Sequence, residues 1–330
     1  MSTIEEVAYH AKVSVATVSR VINNKGNVSA STRQRVEESI KILKYQPNAL
    51  GVLLRKDRTQ MVLVLLHSVD NPFFSAIVRG VESVAHENNY NVLISTTYSD
   101  PQREDHYIKL LKRHFVDGVI LITNTFNKDD INELNTLYPV AQALEYIEGS
   151  DAKHFSVDFY GASVALMEEL IQKGRKNIIF AYTGSTDIIS AHLKYQAYCD
   201  VLNKHNLPIL TPKLQDLLFG YESGQKIALD GIKQTPEVDG FFAASDLIAC
   251  GIIDALTQHG KHVPKDISVV GFDNTIYAQL ANPKLTTVEV NSYKMGEAAM
   301  HYILDRLSNR TDCQSPSEIF DYEIIHRESL

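Results

Sequence analysis

The sequence predicts an α/β protein: a small all-α N-terminal headpiece, then two lobes, each a doubly wound parallel sheet. Three observations carry that prediction. In residues 1–60 apolar residues recur at helical spacing between capping residues. From Met61 onward short apolar runs alternate with helical patterns, and the alternation runs through two successive series. Charge divides at the same place, with ten Lys/Arg against five Asp/Glu in residues 1–60, a net of +5. The formal total is -8, so the remainder carries -13.

Length and composition bound the rest. A chain of 330 residues with 44% hydrophobic content exceeds one ordinary core, so two or three domains are expected. The N-terminal run has no basic segment followed by an apolar core, and no later stretch reaches the ~20 apolar residues of a membrane span. A cytoplasmic protein without a membrane partner is therefore expected. Cys199, Cys250 and Cys313 are odd in number and widely spaced, which fits packing residues in a reducing compartment. An acidic protein is repelled by phosphate at long range, but a basic head on an acidic body can neutralise phosphates at one end only.

In the head, Thr3 can cap a first helix, with Glu6 completing a capping box and Ile4, Val7, Ala8 and Ala11 forming the apolar face. That helix should stop near Lys12. Ser14 can cap a second helix with apolar positions Val15, Val18, Val21 and Ile22, which makes a helix-turn-helix. Residues 23–27 break the pattern, and Ser31 precedes a third helix with Val36, Ile40 and Leu43, ending before Tyr45 and Pro47. The second helix exposes Ser14, Ala16, Thr17 and Arg20 around a valine stripe. Short hydroxyls suit phosphate oxygens, a methyl suits thymine and an arginine suits guanine, so this reads as a recognition helix for double-stranded DNA. The segment 48–55 is too short to be a stable helix alone, and Gly51 weakens it further, which fits a linker that orders only with a partner.

In the body the first series runs 61–66, 73–88, 91–95, 102–113, 118–122 and 131–138. The second starts near Phe155 and runs 162–173, 177–181, 193–205, 221–234, 240–244, 248–259 and 268–272, followed by a helix over 293–307 and a closing strand over 322–326. Ligands of open α/β sheets sit beyond the carboxyl ends of the strands. Strand ends offer Asn71, Phe73 and Phe74, then Thr97 and Tyr98, then Ser245 and Asp246, then Asp273. Aromatics with carboxylates suit a polyol. The histidines show no paired zinc-ligand spacing, and phosphate-binding loops, nucleophile elbows and dinucleotide signatures are missing, so no metal, cofactor or catalysis is expected.

Residues 3–55 resemble the headpiece of the lactose-repressor/galactose-repressor (LacI/GalR) family almost position for position. The resemblance continues through Asp70-Asn71-Pro72-Phe73-Phe74, Phe115-Val116-Asp117-Gly118, the run 264–273 and the run 283–288. It implies DNA contacts from Thr3, Ser14, Val15, Ala16, Thr17, Ser19, Arg20, Asn23, Val28 and Ser29, with Val15, Ala16 and Arg20 at base-reading positions. It makes 48–58 a hinge whose Leu54 wedges into the minor groove beside Arg55. The body resembles type I periplasmic sugar-binding proteins, and the resemblance adds Phe219 and Lys194 to the effector candidates. Its division would be 1–47 for the headpiece, 59–160 with 291–320 for one lobe and 161–290 with 321–330 for the other. Lys194 departs from the family, whose arginine there grips ligand oxygens with a planar fork, whereas a lysine is a flexible point charge.

The function implied is a sequence-specific transcription regulator, a repressor of carbohydrate-utilisation genes. Its partners would be a pseudo-palindromic operator, a second copy of itself in a homodimer, and a sugar, sugar phosphate or nucleoside effector. The absence of apolar heptads after the last strand favours a dimer over a tetramer. Alternatives are a catabolite-control-type regulator using a phosphocarrier protein, for which the 293–307 helix offers only Lys294, His301 and Arg306, a sugar-binding protein without an export signal, and an enzyme acting on a small sugar.

Overall fold

The computed structural model describes residues 2–24, 26–45, 58–123, 125–182, 188–210, 220–310 and 317–330. Leu54, Arg55, the rest of the proposed hinge helix and Phe219 lie outside the described residues. The chain forms two compact units, Met1–Thr59 and Gln60–Leu330.

The first unit holds α1 (Ile4–Ala11), α2 (Val15–Ile22) and α3 (Ala30–Ile42). Thr3 and Glu6 form the expected capping box, and Lys12 ends α1 in the left-handed conformation. Ser14 Oγ accepts from the Thr17 amide at the start of α2. The third helix begins earlier than expected: Ser29, not Ser31, is the cap, its Oγ accepting from the Thr32 amide. Both serines precede helical spacing, and the chain uses the one whose extended backbone leaves Ala30 as the first helical residue. Val7, Ala8, Ala11, Val18, Val21 and Val36 close the core.

The second unit alternates strands and helices in the order β1 (Met61–Leu66), α4 (Pro72–Glu87), β2 (Asn91–Thr96), α5 (Pro101–Lys112), β3 (Gly118–Leu121), α6 (Lys128–Leu137), β4 (Val140–Ala143) and β5 (His154–Val157). It continues with α7 (Phe159–Gln172), β6 (Ile178–Ala181), α8 (Ile189–Lys204), α9 (Tyr221–Gln234), β7 (Gly240–Ala243), α10 (Asp246–Gln258), β8 (Ser268–Val270) and α11 (Ile276–Leu280). Last come β9 (Thr287–Val290), α12 (Ser292–Leu307), β10 (Glu318–Phe320) and β11 (Tyr322–Ile325).

One sheet has the order β10-β5-β4-β3-β1-β2 and a second has β6-β7-β8, both parallel; β11 pairs antiparallel with β9. Strand β1 shows why the first sheet is covered on both faces. Val62, Val64 and Leu66 enter one core while Leu63 and Leu65 enter another. Two placements correct the expectation. The strand at Phe155 belongs to the first sheet rather than opening the second series, because it pairs with β4. The chain also returns to that sheet through β10, a short and largely exposed strand without an apolar pattern for sequence reading to detect.

Close helix crossings hold the layers. A methyl built on Gly80 of α4 would overlap the Tyr293 carbonyl, and one on Gly296 of α12 the Ile77 carbonyl. The same reciprocity recurs in α9 and α10, where Gly224 meets the Ile248 carbonyl and Gly251 the Tyr221 carbonyl.

Candidate functional site

Two faces carry the candidate residues. On α2, at about 100° per residue, Val15, Ala16, Ser19, Arg20 and Asn23 fall within one arc of about 140°, while Val18 and Val21 are buried on the opposite side. Ser14, Val15, Ala16, Arg20 and Asn23 are exposed. Among the described residues no protein acceptor takes the Arg20 guanidinium, and its stem passes Gly26, whose φ is +79°. Asn23 donates to the Ser19 carbonyl at 2.8 Å and Arg33 donates to Asn24 at 2.6 Å, which ties the end of α2 to α3. Arg33 gave no signal in the sequence beyond its charge. Thr3 and Ser29 are exposed caps. Val28 is partly buried and packs against the headpiece core.

In the body, the structure brings Lys194, Asp273 and Glu145 together beyond the strand ends. Lys194, an effector candidate, lies on α8 and is only 5% exposed. Its Nζ donates to the Ala244 carbonyl at 3.0 Å and stands 3.7 Å from the Phe272 ring centroid and 5.2 Å from that of Phe159. Burial pulls its pKa down, against the raising pull of Asp273, Glu145 and Asp246. For Asp273 burial dominates as well, pushing the carboxyl well above its usual range while Lys194 opposes. Its backbone has φ +105° and is fixed by an amide bond to the Val288 carbonyl at 2.9 Å. A non-glycine residue persists at such a φ only where its surroundings over-determine it.

Glu145 follows β4 and was not among the sequence candidates. Its carboxylate accepts from the Ser190 hydroxyl at 2.5 Å and amide at 3.1 Å, bridging the first sheet to the start of α8; burial raises its pKa. The strand-end rule would have found it had the short β4 been read as a strand.

Asp246 is corrected from a ligand contact to a supporting group. It is 0% exposed, and its oxygens accept from the Thr275 amide and hydroxyl at 2.6 and 3.0 Å and from the Thr287 hydroxyl at 2.6 Å. Burial pushes its pKa up to about 6 despite those bonds. Ser245 is likewise buried, capping α10 through the Ile248 amide.

The remaining candidates occupy the β1–β2 end of the first sheet. Asn71 caps α4 through the Phe73 amide at 3.0 Å, Phe73 is a core residue, and Phe74 is partly buried, edge-on to Phe73. Thr97 is buried. Tyr98 is 51% exposed, with the Arg103 guanidinium 5.1 Å from its ring centroid. The open depression lined by Leu229, Lys233, His259 and Lys261 contains no carboxylate and lies among the starts of the strands, away from these groups.

Comparison with known proteins agrees with both halves. Residues 3–48 match the family described as bacterial regulatory proteins, lacI family, and residues 167–330 match a periplasmic binding protein-like domain. The chain is 34% identical over 334 residues to the HTH-type transcriptional regulator RegA of Clostridium saccharobutylicum, covering 99% of each. It is 32% identical over 324 residues to the ribose operon repressor of Halalkalibacterium halodurans, covering 98% of this chain and 94% of that one. A solved structure, the transcriptional regulator CelR–cellobiose complex, matches 100% of both chains with a TM-score of 0.73 and 27% identity.

Proposed function

The chain belongs to the lacI family of bacterial regulatory proteins, and we propose that it is a cytoplasmic, homodimeric repressor whose operator affinity is set by a neutral sugar or nucleoside held at Lys194, Asp273 and Glu145. It is a sequence-specific DNA-binding transcription regulator; the effector, the dimer and the pseudo-palindromic operator belong to the proposal.

The observation that carries the choice of effector is the direction of Lys194. Its ammonium is turned to the Ala244 carbonyl and the Phe272 ring, so Asp273 and Glu145 are the acidic groups left for an incoming ligand. A phosphate dianion would be desolvated beside two acidic groups with the one cation turned away from it, whereas hydroxyls can hydrogen-bond to a carboxyl in either protonation state. This ranks the sugar phosphate last of the three effector classes. The phosphocarrier alternative ranks lower too: Arg306 donates to Asn135 and to the Tyr138 carbonyl, which leaves Lys294 and His301 on α12 for an acidic partner.

A thermal-shift comparison of ribose, cellobiose, a nucleoside and ribose 5-phosphate, followed by operator anisotropy with any stabilising compound, tests the reading. A neutral compound should stabilise the protein and change operator affinity. Stabilisation without a change in operator affinity, or by the phosphate alone, refutes it.

A further inference from the structure

Asp273 and Asn274 are consecutive non-glycine residues with positive φ, +105° and +48°. Such a pair persists only where surrounding groups over-determine it, so what holds it also decides where the Asp273 carboxylate points. On the Asp273 side the amide bonds to Val288 and the backbone bridges to Glu289. On the Asn274 side the restraint comes from elsewhere in the chain. Arg327 extends one guanidinium nitrogen to Asn274 Oδ1 at 2.6 Å and the other to the Leu285 carbonyl at 2.7 Å, while Asn274 Nδ2 donates to Glu289.

Arg327 is itself anchored. Its amide donates to Thr286 Oγ1 at 2.9 Å, and two residues on the buried Ser329 donates its hydroxyl to the Val269 carbonyl at 2.6 Å and accepts from the Thr286 amide at 2.8 Å. The same region is closely packed: a methyl on Gly271 would come within 2.6 Å of both Asp246 Oδ1 and a Leu285 methyl.

We infer that Arg327 is a positioning residue for the effector site: its planar fork clamps Asn274 against Leu285, holding the left-handed turn that aims Asp273 toward Lys194. The inference rests on the effector reading for its consequence, but the clamp consists of contacts within the chain alone. A lysine cannot reproduce it, because one ammonium lacks the fork that serves two acceptors in one plane.

Hydrogen–deuterium exchange on the full chain, wild type against Arg327→Lys, Arg327→Gln and Asn274→Gly, reads the clamp directly. Peptides covering residues 272–277 should exchange about tenfold faster in Arg327→Gln, with an intermediate increase in Arg327→Lys, while peptides from β6 and α8 stay unchanged. Because Arg327 acts through Asn274, adding Arg327→Gln to Asn274→Gly should bring little further change in that segment. Unchanged exchange at 272–277, or acceleration spread evenly over the unit, overturns the inference. The same variants are titrated with ribose and cellobiose. A sugar that binds wild type should bind Arg327→Gln about tenfold more weakly, and equal affinity overturns the positioning role. If neither sugar shifts wild type, that counts against the effector reading, and the exchange result alone decides the clamp.

Discussion

At Lys194 an amine stands where a guanidinium would have to spread its fork between a carbonyl and two aromatic rings. The ammonium fits that niche through one bond to Ala244 and one face of Phe272. Asp273→Asn should therefore abolish any sugar-induced thermal shift. It should leave the melting temperature at pH 7.5 equal or higher, because an amide avoids the burial that raises this carboxyl's pKa. A lower melting temperature with intact sugar binding would contradict this. In the headpiece, Arg20→Ala should remove about 1–3 kcal/mol of discrimination between operator and scrambled DNA, with a smaller effect on the scrambled sequence, as read by anisotropy at fixed salt. Equal losses on the two would show a phosphate contact instead. The chemistry of Arg20, Asp273 and Lys194 was visible in the sequence. The partners were not, since Glu145 lies 49 positions from Lys194 and Asp273 lies 79.

Among the elements, those whose ends are specified by adjacent residues were the most legible. Thr3 with Glu6 and Ser14 with Thr17 are local decisions, and both caps form. Strands β5 and β10 were misread or missed because pairing, not pattern, makes them strands. Glycines on α4, α9, α10 and α12 illustrate the same limit: in the sequence they only weaken helices, and in the structure each admits a neighbour's backbone. Gly296→Val should consequently destabilise the second unit by about 3 kcal/mol or more through forced separation of α4 and α12. Urea unfolding followed by far-ultraviolet circular dichroism checks it, and a loss within the roughly 0.5–1 kcal/mol of a helix-propensity change would refute the close-approach argument.

For the whole molecule, buried acids make stability depend on pH in the unusual direction. Glu104, Glu145, Asp246 and Asp273 all have pKa values raised by burial, that of Asp246 to about 6. A carboxyl whose folded pKa lies above its unfolded value binds its proton more tightly when folded, so stability rises as pH falls from about 7 toward 4. For the fully buried Asp246, the shift from 3.8 to about 6 corresponds to at most about 3 kcal/mol, gained as pH drops through that window. The half-buried His67 and His154, whose pKa values burial lowers, act oppositely in the same window but are fewer than these acids. Surface carboxylates such as Asp105, Glu168 and Asp266, with lowered values, act oppositely lower in the pH range and are screened by water. Thermal melts should show a higher transition at pH 5.5 than at 7.5, with the difference reduced in Asp246→Asn. A flat or falling profile would contradict the burial argument.

By itself the sequence determined the basic head on an acidic body, the capped helices, the exposed polar face of α2 and the repeated α/β alternation, because each follows from residues within a few positions of one another. Only the tertiary structure decided that Lys194 is buried against Phe272, that Asp246 is enclosed by Thr275 and Thr287, that Glu145 bonds Ser190 and that Arg327 bonds Asn274. Those outcomes depend on which segments distant in the chain pack together, and burial, which sets both charge state and hydrogen-bond partners, is a property of that packing.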